Sequence, residues 1–230
     1  MNERQAKILQ LIVGEYIQTV EPVGSKFLKM KFQLPVSSAT IRNDMSTLEQ
    51  EGFLRQPHTS AGRIPTEKAY LFYLQHISQK KKSVQGAAKM QKATDEIKNE
   101  ERLLKTVAKT LVDLSGETVL VAFDPHWSYY AGVSNLFSKP DFHNLSQLQD
   151  LSELIDQFDD VICDLFEVVS DEPCVMIGSE NPFGASMSVI IVKYELSNRK
   201  DGLLGLIGPL RMDYARNIAL IQQAREIIER

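Results

Sequence analysis

The chain has 230 residues, 43% hydrophobic and 24% charged, which suffices for a buried core and excludes a wholly disordered chain. No apolar run reaches the roughly 18 residues of a membrane helix, no signal peptide opens the chain, and two cysteines cannot build a disulfide scaffold or a four-ligand zinc site, so we expect a cytoplasmic protein. The net charge of -4 divides into +5 over residues 1–82, +2 over 83–110 and -11 over 111–230. Unless this is ordinary variation of surface charge, it indicates a basic domain suited to a polyanion and an acidic domain with other partners.

The first part of the chain predicts two helices separated by a break. Apolar residues recur at helical spacing over residues 3–18, and the segment 21–24, which contains Pro and Gly, interrupts them. A short second helix, capped by Ser25, is expected to extend to residue 31. Phe27 and Leu28 are predicted to face inward.

A third helix and a short β segment follow. Ser37 or Ser38 can cap the third helix, which we expect to end at about Glu51 because a glycine comes next. Residues 53–56 predict a strand, and residues 57–65 have the prolines and glycine of a loop. A further helix begins after this loop, with apolar positions at helical spacing: Tyr70, Tyr73, Leu74 and Ile77.

Residues 84–114 contain no proline and predict one long helix that follows a charged break at 80–83. Its heptad seam is weak at the front and good at the back: Met90, Ala93, Ile97, Glu100, Leu104, Val107, Leu111 and Leu114. Two alternatives stay open at this point. The seam either pairs with a second copy of the chain or packs on the C-terminal domain of its own chain.

The remaining sequence alternates strand and helix patterns. Strands are predicted at 117–123, 127–137, 174–178, 188–196 and 203–207, with a turn at 198–202. Helices are predicted at 144–158, 161–169 and 213–229. The tight turn and the strand–strand–helix order favour an α+β fold, whose mostly antiparallel sheet has helices on one face.

The third helix carries the strongest functional signal. Ile41, Met45 and Leu48 fall on one side at 100° per residue, which makes that side the buried one. The remaining surface is small, polar and almost free of acids: Ala39, Thr40, Arg42, Asn43, Ser46, Thr47 and Gln50. Asn and Gln can read adenine and Arg can read guanine in a major groove, while Ser37, Ser38 and the helix N-terminus suit phosphates. An ordinary exposed helix would more often carry Lys/Glu pairs.

The loop after the strand completes the pattern of a winged helix-turn-helix. His58, Thr59, Ser60 and Arg63 are the candidate wing contacts to the DNA backbone or minor groove. Lys26, on the helix before the turn, is either a phosphate contact or a solvated lysine. Together with the third helix these residues make double-stranded DNA the expected partner.

Several segments closely resemble the HrcA family of bacterial heat-inducible transcription repressors. The N-terminal ones are long and specific: Glu21-Pro22-Val23-Gly24-Ser25, Ser37-Ser38-Ala39-Thr40-Ile41-Arg42-Asn43-Asp44-Met45 and Gln56-Pro57-His58-Thr59-Ser60-Ala61-Gly62-Arg63-Ile64-Pro65-Thr66. The C-terminal ones follow in the family's order: Tyr130-Ala131-Gly132, Ser134-Asn135-Leu136-Phe137, Gly178-Ser179-Glu180-Asn181-Pro182 and Ile207-Gly208-Pro209-Leu210-Arg211-Met212-Asp213-Tyr214. Together they bracket nearly the whole chain.

The resemblance implies a homodimeric repressor that binds an inverted-repeat operator upstream of chaperone genes and is released on heat stress. It also implies a GAF-like C-terminal domain and a GroE-type chaperonin as a partner. The chain looks like a shortened member, because Asp124-Pro125-His126 stands where the family continues its GAF-like domain and carries an inserted dimerisation domain. We therefore expect a DNA-binding domain at 1–82, a linker or dimerisation helix at 83–115, and a reduced GAF-like regulatory or dimerisation domain at 116–230.

Two other readings compete with a heat-shock repressor. A winged-helix regulator that responds to a small molecule is the first, because GAF-like folds often bind such ligands. An enzyme is the second, but Gly202, Gly205 and Gly208 lack the spacing of a dinucleotide-binding loop. The histidines and cysteines form no metal-binding motif, and the acidic pairs resemble solvated turns, so we expect no catalytic residue, no metal site and no cofactor.

Overall fold

The computed structural model describes residues 1–76, 86–142, 152, 155–196 and 200–230. The chain divides into two compact units, Met1–Ser78 and Gln79–Arg230. Among the described residues, no helix is both long enough and apolar enough to cross a membrane.

The N-terminal unit combines helices with a small antiparallel sheet. Its described elements are α1 (Glu3–Thr19), α2 (Ser25–Phe32), α3 (Ser38–Gln50), β1 (Leu54–Arg55), β2 (Ile64–Pro65) and α4 (Glu67–His76). Leu54 pairs with Pro65 and Arg55 with Ile64, so the loop between β1 and β2 is a hairpin tip.

Local signals fix the ends of α1 and α3. Asn2 and Gln5 form a reciprocal capping box at the start of α1, in which Asn2 Oδ1 accepts the Gln5 N–H at 2.9 Å. Ser37 is the N-cap of α3, and Gly52 follows this helix with φ of 80°, a conformation that favours glycine. The predictions of these two helices and of the α3 cap are confirmed.

The second helix departs from its prediction in two details. Gly24 is the N-cap of α2, and Ser25 is its first helical residue. Leu28 is fully buried, whereas the Phe27 side chain is 44% exposed. The prediction that Phe27 faces inward is wrong because adjacent helical residues point about 100° apart, so an eight-residue helix that buries Leu28 turns Phe27 towards solvent.

The C-terminal unit is built on a five-stranded antiparallel sheet in the order β4-β3-β7-β6-β5. Its described elements are α5 (Ala87–Thr94), α6 (Glu100–Ser115), β3 (Thr118–Asp124), β4 (Trp127–Ala131), α7 (Ser134–Ser138), α8 (Phe158–Val168), β5 (Cys174–Ile177), β6 (Met187–Glu195), β7 (Asp201–Pro209) and α9 (Tyr214–Ile228). Asp124 pairs with Trp127, so only Pro125 and His126 connect β3 to β4. Helices and an antiparallel sheet together confirm the α+β class.

Helices cover both faces of this sheet. Leu120 and Ala122 of β3 join a core cluster with Phe158 and Ile162 of α8. Alternate β3 residues such as Val119 are equally buried and point to the opposite face. Helices α6 and α9 contact β3, β6 and β7 but contribute nothing to the α8 cluster, so they cover this second face. The prediction of helices on one face is wrong, and the near-continuous apolar runs of β3 and β7 are the pattern of strands buried on both sides.

The predicted long helix over 84–114 is two helices, α5 and α6. The first helix ends at Thr94, and Asn99 starts the second, because its side chain accepts the Arg102 N–H at 2.8 Å and caps the new helix. The seam residues Met90, Leu104, Val107 and Leu111 are buried within the single chain, where α6 packs on α5, α9 and β3. Of the two alternatives left open, the structure favours packing on the chain's own C-terminal unit.

Other predictions are confirmed in part or fall outside the described residues. The strand predicted over 127–137 ends at Ala131, because Gly132 has φ of 73° and α7 follows. The helix predicted at 144–158 lies largely outside the described residues, as do His143, residues 198 and 199 of the predicted turn and the break at 80–83. Residues 201 and 202 of that turn belong to β7, which begins two residues earlier than predicted. The closing helix is confirmed, with Asp213 as its N-cap.

Candidate nucleic-acid interface

Helix α3 has a buried apolar side and an exposed polar side. Ile41, Met45 and Leu48 are buried against the N-terminal unit. Ala39, Arg42, Asn43 and Gln50 are exposed, while Thr40, Ser46 and Thr47 are half-buried. The structure therefore confirms the buried side of α3 that the spacing of its apolar residues predicts.

Some hydroxyl groups on α3 already have partners within the helix. Ser37 Oγ accepts the Thr40 N–H at 3.0 Å and lies 2.8 Å from Thr40 Oγ1. Thr47 Oγ1 donates to the Asn43 backbone carbonyl at 3.2 Å. These contacts fix the start and the middle of the exposed side while the side chains of Arg42 and Asn43 extend into solvent.

The hairpin tip between β1 and β2 is held in shape from inside. Gln56 Nε2 donates to the carbonyl oxygens of Thr59 and Ala61, both at 3.0 Å. The side chains of His58, Thr59 and Ser60 are exposed. Gln56 is a residue that sequence reasoning missed, although its side-chain amide, which carries two N–H donors, directly precedes the loop that it orders.

An open groove of about 490 Å³ lies between the start of α2, one side of α3 and the hairpin tip. Its described lining contains three cations and no acid: Gly24, Ser25, Lys26, Arg42, Met45, Gln56, Thr59, Ser60, Ala61, Gly62 and Arg63. Five predicted site residues thus line one surface, namely Lys26, Arg42, Thr59, Ser60 and Arg63. The other seven do not line the groove: Ser37, Ser38, Thr40, Asn43, Ser46, Thr47 and His58.

Arg63 differs from the other groove cations. Its Nε donates to Glu49 Oε2 at 2.9 Å, and its side chain is only 15% exposed. Its backbone N–H and C=O both pair with Val23, each at 2.9 Å. The sequence did not indicate Glu49 as a partner of Arg63, because no local pattern links Glu49 to a residue beyond the hairpin.

The described part of the chain shows neither of two other kinds of site, a metal site or a disulfide bond. No group of three or more His, Cys, Asp and Glu side chains there is arranged to hold a metal ion. Cys163 and Cys174 are both free thiols, and Cys163 Sγ donates to the Pro125 carbonyl at 3.0 Å.

Comparisons with known proteins show which family the chain is similar to. Residues 73–218 match the family model described as the HrcA protein C-terminal domain. The chain is 26% identical, over an alignment 327 positions long, to the heat-inducible transcription repressor HrcA of Natranaerobius thermophilus, with 97% of this chain and 94% of the relative covered. It is 28% identical over 320 residues to the HrcA of Thermoanaerobacter sp., with 95% and 93% covered. A solved structure titled a hypothetical protein shares the fold, with a TM-score of 0.79, 22% identity and coverage of 100% and 98%.

A shorter stretch is much more similar to one relative. Over 84 residues the chain is 55% identical to the heat-inducible transcription repressor HrcA of Alkaliphilus metalliredigens, which covers 36% of this chain and 24% of the relative. These relatives define the class of the protein as a heat-inducible transcription repressor rather than an enzyme. The chain belongs to the HrcA family. With 230 residues against an alignment of 327, it is a short member.

Proposed function

We propose that the N-terminal unit is a winged helix-turn-helix that binds double-stranded DNA. In this proposal α2 and α3 form the helix-turn-helix, α3 enters the major groove, and the hairpin tip at 57–63 is the wing. The single observation that carries it is the exposed polar side of α3 beside a groove lined by cations without an acid. Such a surface suits a polyanion whose base edges present hydrogen-bonding groups.

The predicted site residues divide into two roles. Arg42 and Asn43 are exposed and can make bidentate contacts to guanine and adenine, and we assign base reading to them. Ser46, Thr47 and Thr40 flank them on the same helix. Phosphate and sugar contacts are assigned to Ser37, Ser38, Lys26, His58, Thr59 and Ser60, because the helix N-terminus and exposed hydroxyl, imidazole and ammonium groups suit the DNA backbone.

The repressor acts in this proposal as a homodimer on an inverted repeat upstream of chaperone genes. One recognition helix reads only a few base pairs, and a twofold axis places a second helix one or more DNA turns away, at about 34 Å per turn. Loss of dimer pairing then removes one half-site and most of the affinity. Because the seam residues Met90, Leu104, Val107 and Leu111 are buried within one chain, the dimer contacts are assigned to other surfaces of the protein.

The C-terminal unit is proposed to be a reduced GAF-like domain with a regulatory or dimerisation role. Its tight connection between β3 and β4 accords with the short chain. A domain stabilised by roughly 5–15 kcal/mol loses its folded population within a few degrees of its midpoint, which provides release on heating. A GroE-type chaperonin that refolds the released repressor in the cytoplasm would link repression to free chaperone capacity.

Binding to duplexes tests this function. Fluorescence anisotropy would compare an inverted repeat from a chaperone operon, a single half-site and a scrambled duplex at several salt concentrations during a temperature ramp. We expect preference for the inverted repeat, a steep loss of affinity with salt, and release at the temperature where the protein unfolds. Equal affinity for all three duplexes contradicts sequence-specific repression, and release by a metabolite instead of heat favours a ligand-responsive regulator.

A further inference from the structure

Three parts of the N-terminal unit meet at Arg63. The guanidinium reaches Glu49 on α3, and the backbone forms an antiparallel bridge with Val23, just before α2. The hairpin tip itself ends at Arg63. This residue therefore connects the three surfaces that form the groove.

The backbone beside Arg63 closely approaches the backbone of the segment before α2. A Cβ placed on Gly62 would lie 2.5 Å from the carbonyl carbon and oxygen of Val23 and 2.7 Å from the carbonyl carbon of Pro22. Main-chain atoms cannot move aside as a flexible side chain can. The hairpin tip is thus pressed against the start of α2, and the two hydrogen bonds of the Val23–Arg63 bridge keep it there.

The Arg63–Glu49 ion pair also affects the charge beside the groove. Arg42 and Glu49 are seven residues apart, about two helical turns, so they lie on the same side of α3. A bare carboxylate on that side would repel phosphates. Arg63 neutralises it, and the described lining of the groove itself contains no acid.

We propose that Arg63, together with Glu49, is a positioning residue that fixes the hairpin tip against α2 and α3, and that its guanidinium does not contact DNA. This inference rests on the proposed function, and it replaces the sequence-based assignment of Arg63 as a wing contact. Of the groove cations, Lys26, whose side chain is exposed, is then the one assigned to a phosphate contact.

The chain offers a matched control for the loss of an ion pair. Lys31 Nζ lies 2.6 Å from Glu15 Oε2, which is 5% exposed, and this pair does not line the groove. Arg63→Gln, Glu49→Gln, the double variant, Glu15→Gln and Lys26→Gln would each be compared with the parent protein. Thermal unfolding would first confirm that each is folded at the assay temperature.

Two measurements decide the role of Arg63. In the DNA-free protein, hydrogen exchange at the Val23 and Arg63 amides should accelerate in Arg63→Gln and Glu49→Gln but not in Glu15→Gln. In DNA binding, Arg63→Gln and Glu49→Gln should each lose about tenfold in affinity, and the double variant should lose no more than Arg63→Gln alone. The slope of log affinity against log salt should stay at the parent value for both, whereas Lys26→Gln should reduce it by about 0.9.

Three outcomes overturn the proposal. A salt slope that Arg63→Gln reduces as Lys26→Gln does would make Arg63 a phosphate contact. A gain in affinity for Glu49→Gln would mean that the freed guanidinium reaches DNA. Unchanged amide exchange in both variants would show that the pair does not order the hairpin tip. A parent protein that binds no duplex overturns the proposed function instead, and the exchange data then still decide whether the pair holds the tip.

Discussion

Arg4 and Asp44 join the first and third helices through a two-pronged contact. Arg4 Nε donates to Asp44 Oδ2 at 2.7 Å, and Arg4 Nη2 donates to Asp44 Oδ1 at 3.1 Å. The hydrogen bond to Asp44 raises the pKa of the Arg4 guanidinium. The Asp44 side chain is buried and that of Arg4 is half exposed, so the contact holds α3 in place on α1.

Replacing either Arg4 or Asp44 should lower the stability of the protein, but by unequal amounts. Arg4→Gln leaves a buried carboxylate without its cation, whereas Asp44→Asn leaves an arginine that water can solvate. We expect Arg4→Gln to lower the melting temperature more than Asp44→Asn, and both to weaken DNA binding. Differential scanning calorimetry checks the order, and an equal or reversed order would show that the pair does not fix α3.

Two glycines in the N-terminal unit should respond oppositely to alanine. Gly62→Ala places a Cβ 2.5 Å from the Val23 backbone, while Gly14, inside α1, has no atom within 4 Å of an added Cβ. We expect Gly14→Ala to stabilise the protein by about 0.5–1 kcal/mol because alanine favours helices. Gly62→Ala should destabilise it and weaken DNA binding. Chemical denaturation of both variants measures the signs, and a stabilising Gly62→Ala would contradict the close approach.

Asn217 offers a test of heat release. Its side chain is 1% exposed, and neither amide atom has a hydrogen-bond partner among the described residues. Asn217→Leu replaces an unsatisfied buried amide with an apolar side chain of the same branched shape, and we expect a gain of about 1–3 kcal/mol and a melting temperature several degrees higher. The release temperature from DNA should rise in parallel. Leu220→Asn, on the same buried side of α9, should do the reverse, and a lower melting temperature for Asn217→Leu would contradict this reading.

Glu117 should make stability depend on pH in an unusual direction. Burial raises the pKa of its carboxyl group, although Lys139 Nζ donates to Oε1 at 3.0 Å and opposes this shift. The folded protein therefore holds this proton more tightly than the unfolded chain does. Stability from this group is present below the unfolded pKa of about 4.3 and is lost as the pH rises through the folded pKa.

Glutamine cannot ionise, so Glu117→Gln should remove that loss. The melting temperature of Glu117→Gln minus that of the parent protein should become more positive between about pH 4 and pH 7. Thermal unfolding across this range measures the difference. Asp113→Asn, an exposed acid on α6, is the control, and a difference that becomes more negative with pH would contradict the raised pKa.

The sequence predicts local structure well where one signal decides it. Ile41, Met45 and Leu48 define the buried side of α3 by spacing alone, and the polar residues opposite them are indeed exposed or half-buried. The break between α5 and α6 was also readable, because Asn99 followed by two glutamates is a helix-start signal. The heptad spacing of apolar residues concealed this break, because the spacing continues through both helices.

Contacts between distant segments were not readable in the same way. Arg63 and Glu49 are 14 residues apart, and Arg4 and Asp44 are 40 apart. Charge alone marks the arginines as possible DNA contacts and the acids as solvated side chains. Only the fold shows that these particular partners meet, which is why Arg63 entered the predicted wing contacts while Glu49 did not.

Binding of Asn43→Ala to an inverted-repeat operator tests the central claim most directly. Asn43 is exposed on α3, and its loss should leave the melting temperature unchanged. Affinity for the operator should fall by about 1–3 kcal/mol, preference for the adenine in each half-site should disappear, and affinity for scrambled DNA should remain. Lys109→Ala, an exposed change in the C-terminal unit, should bind like the parent protein. Unchanged affinity and unchanged base preference in Asn43→Ala would contradict the assignment of α3 as the recognition helix.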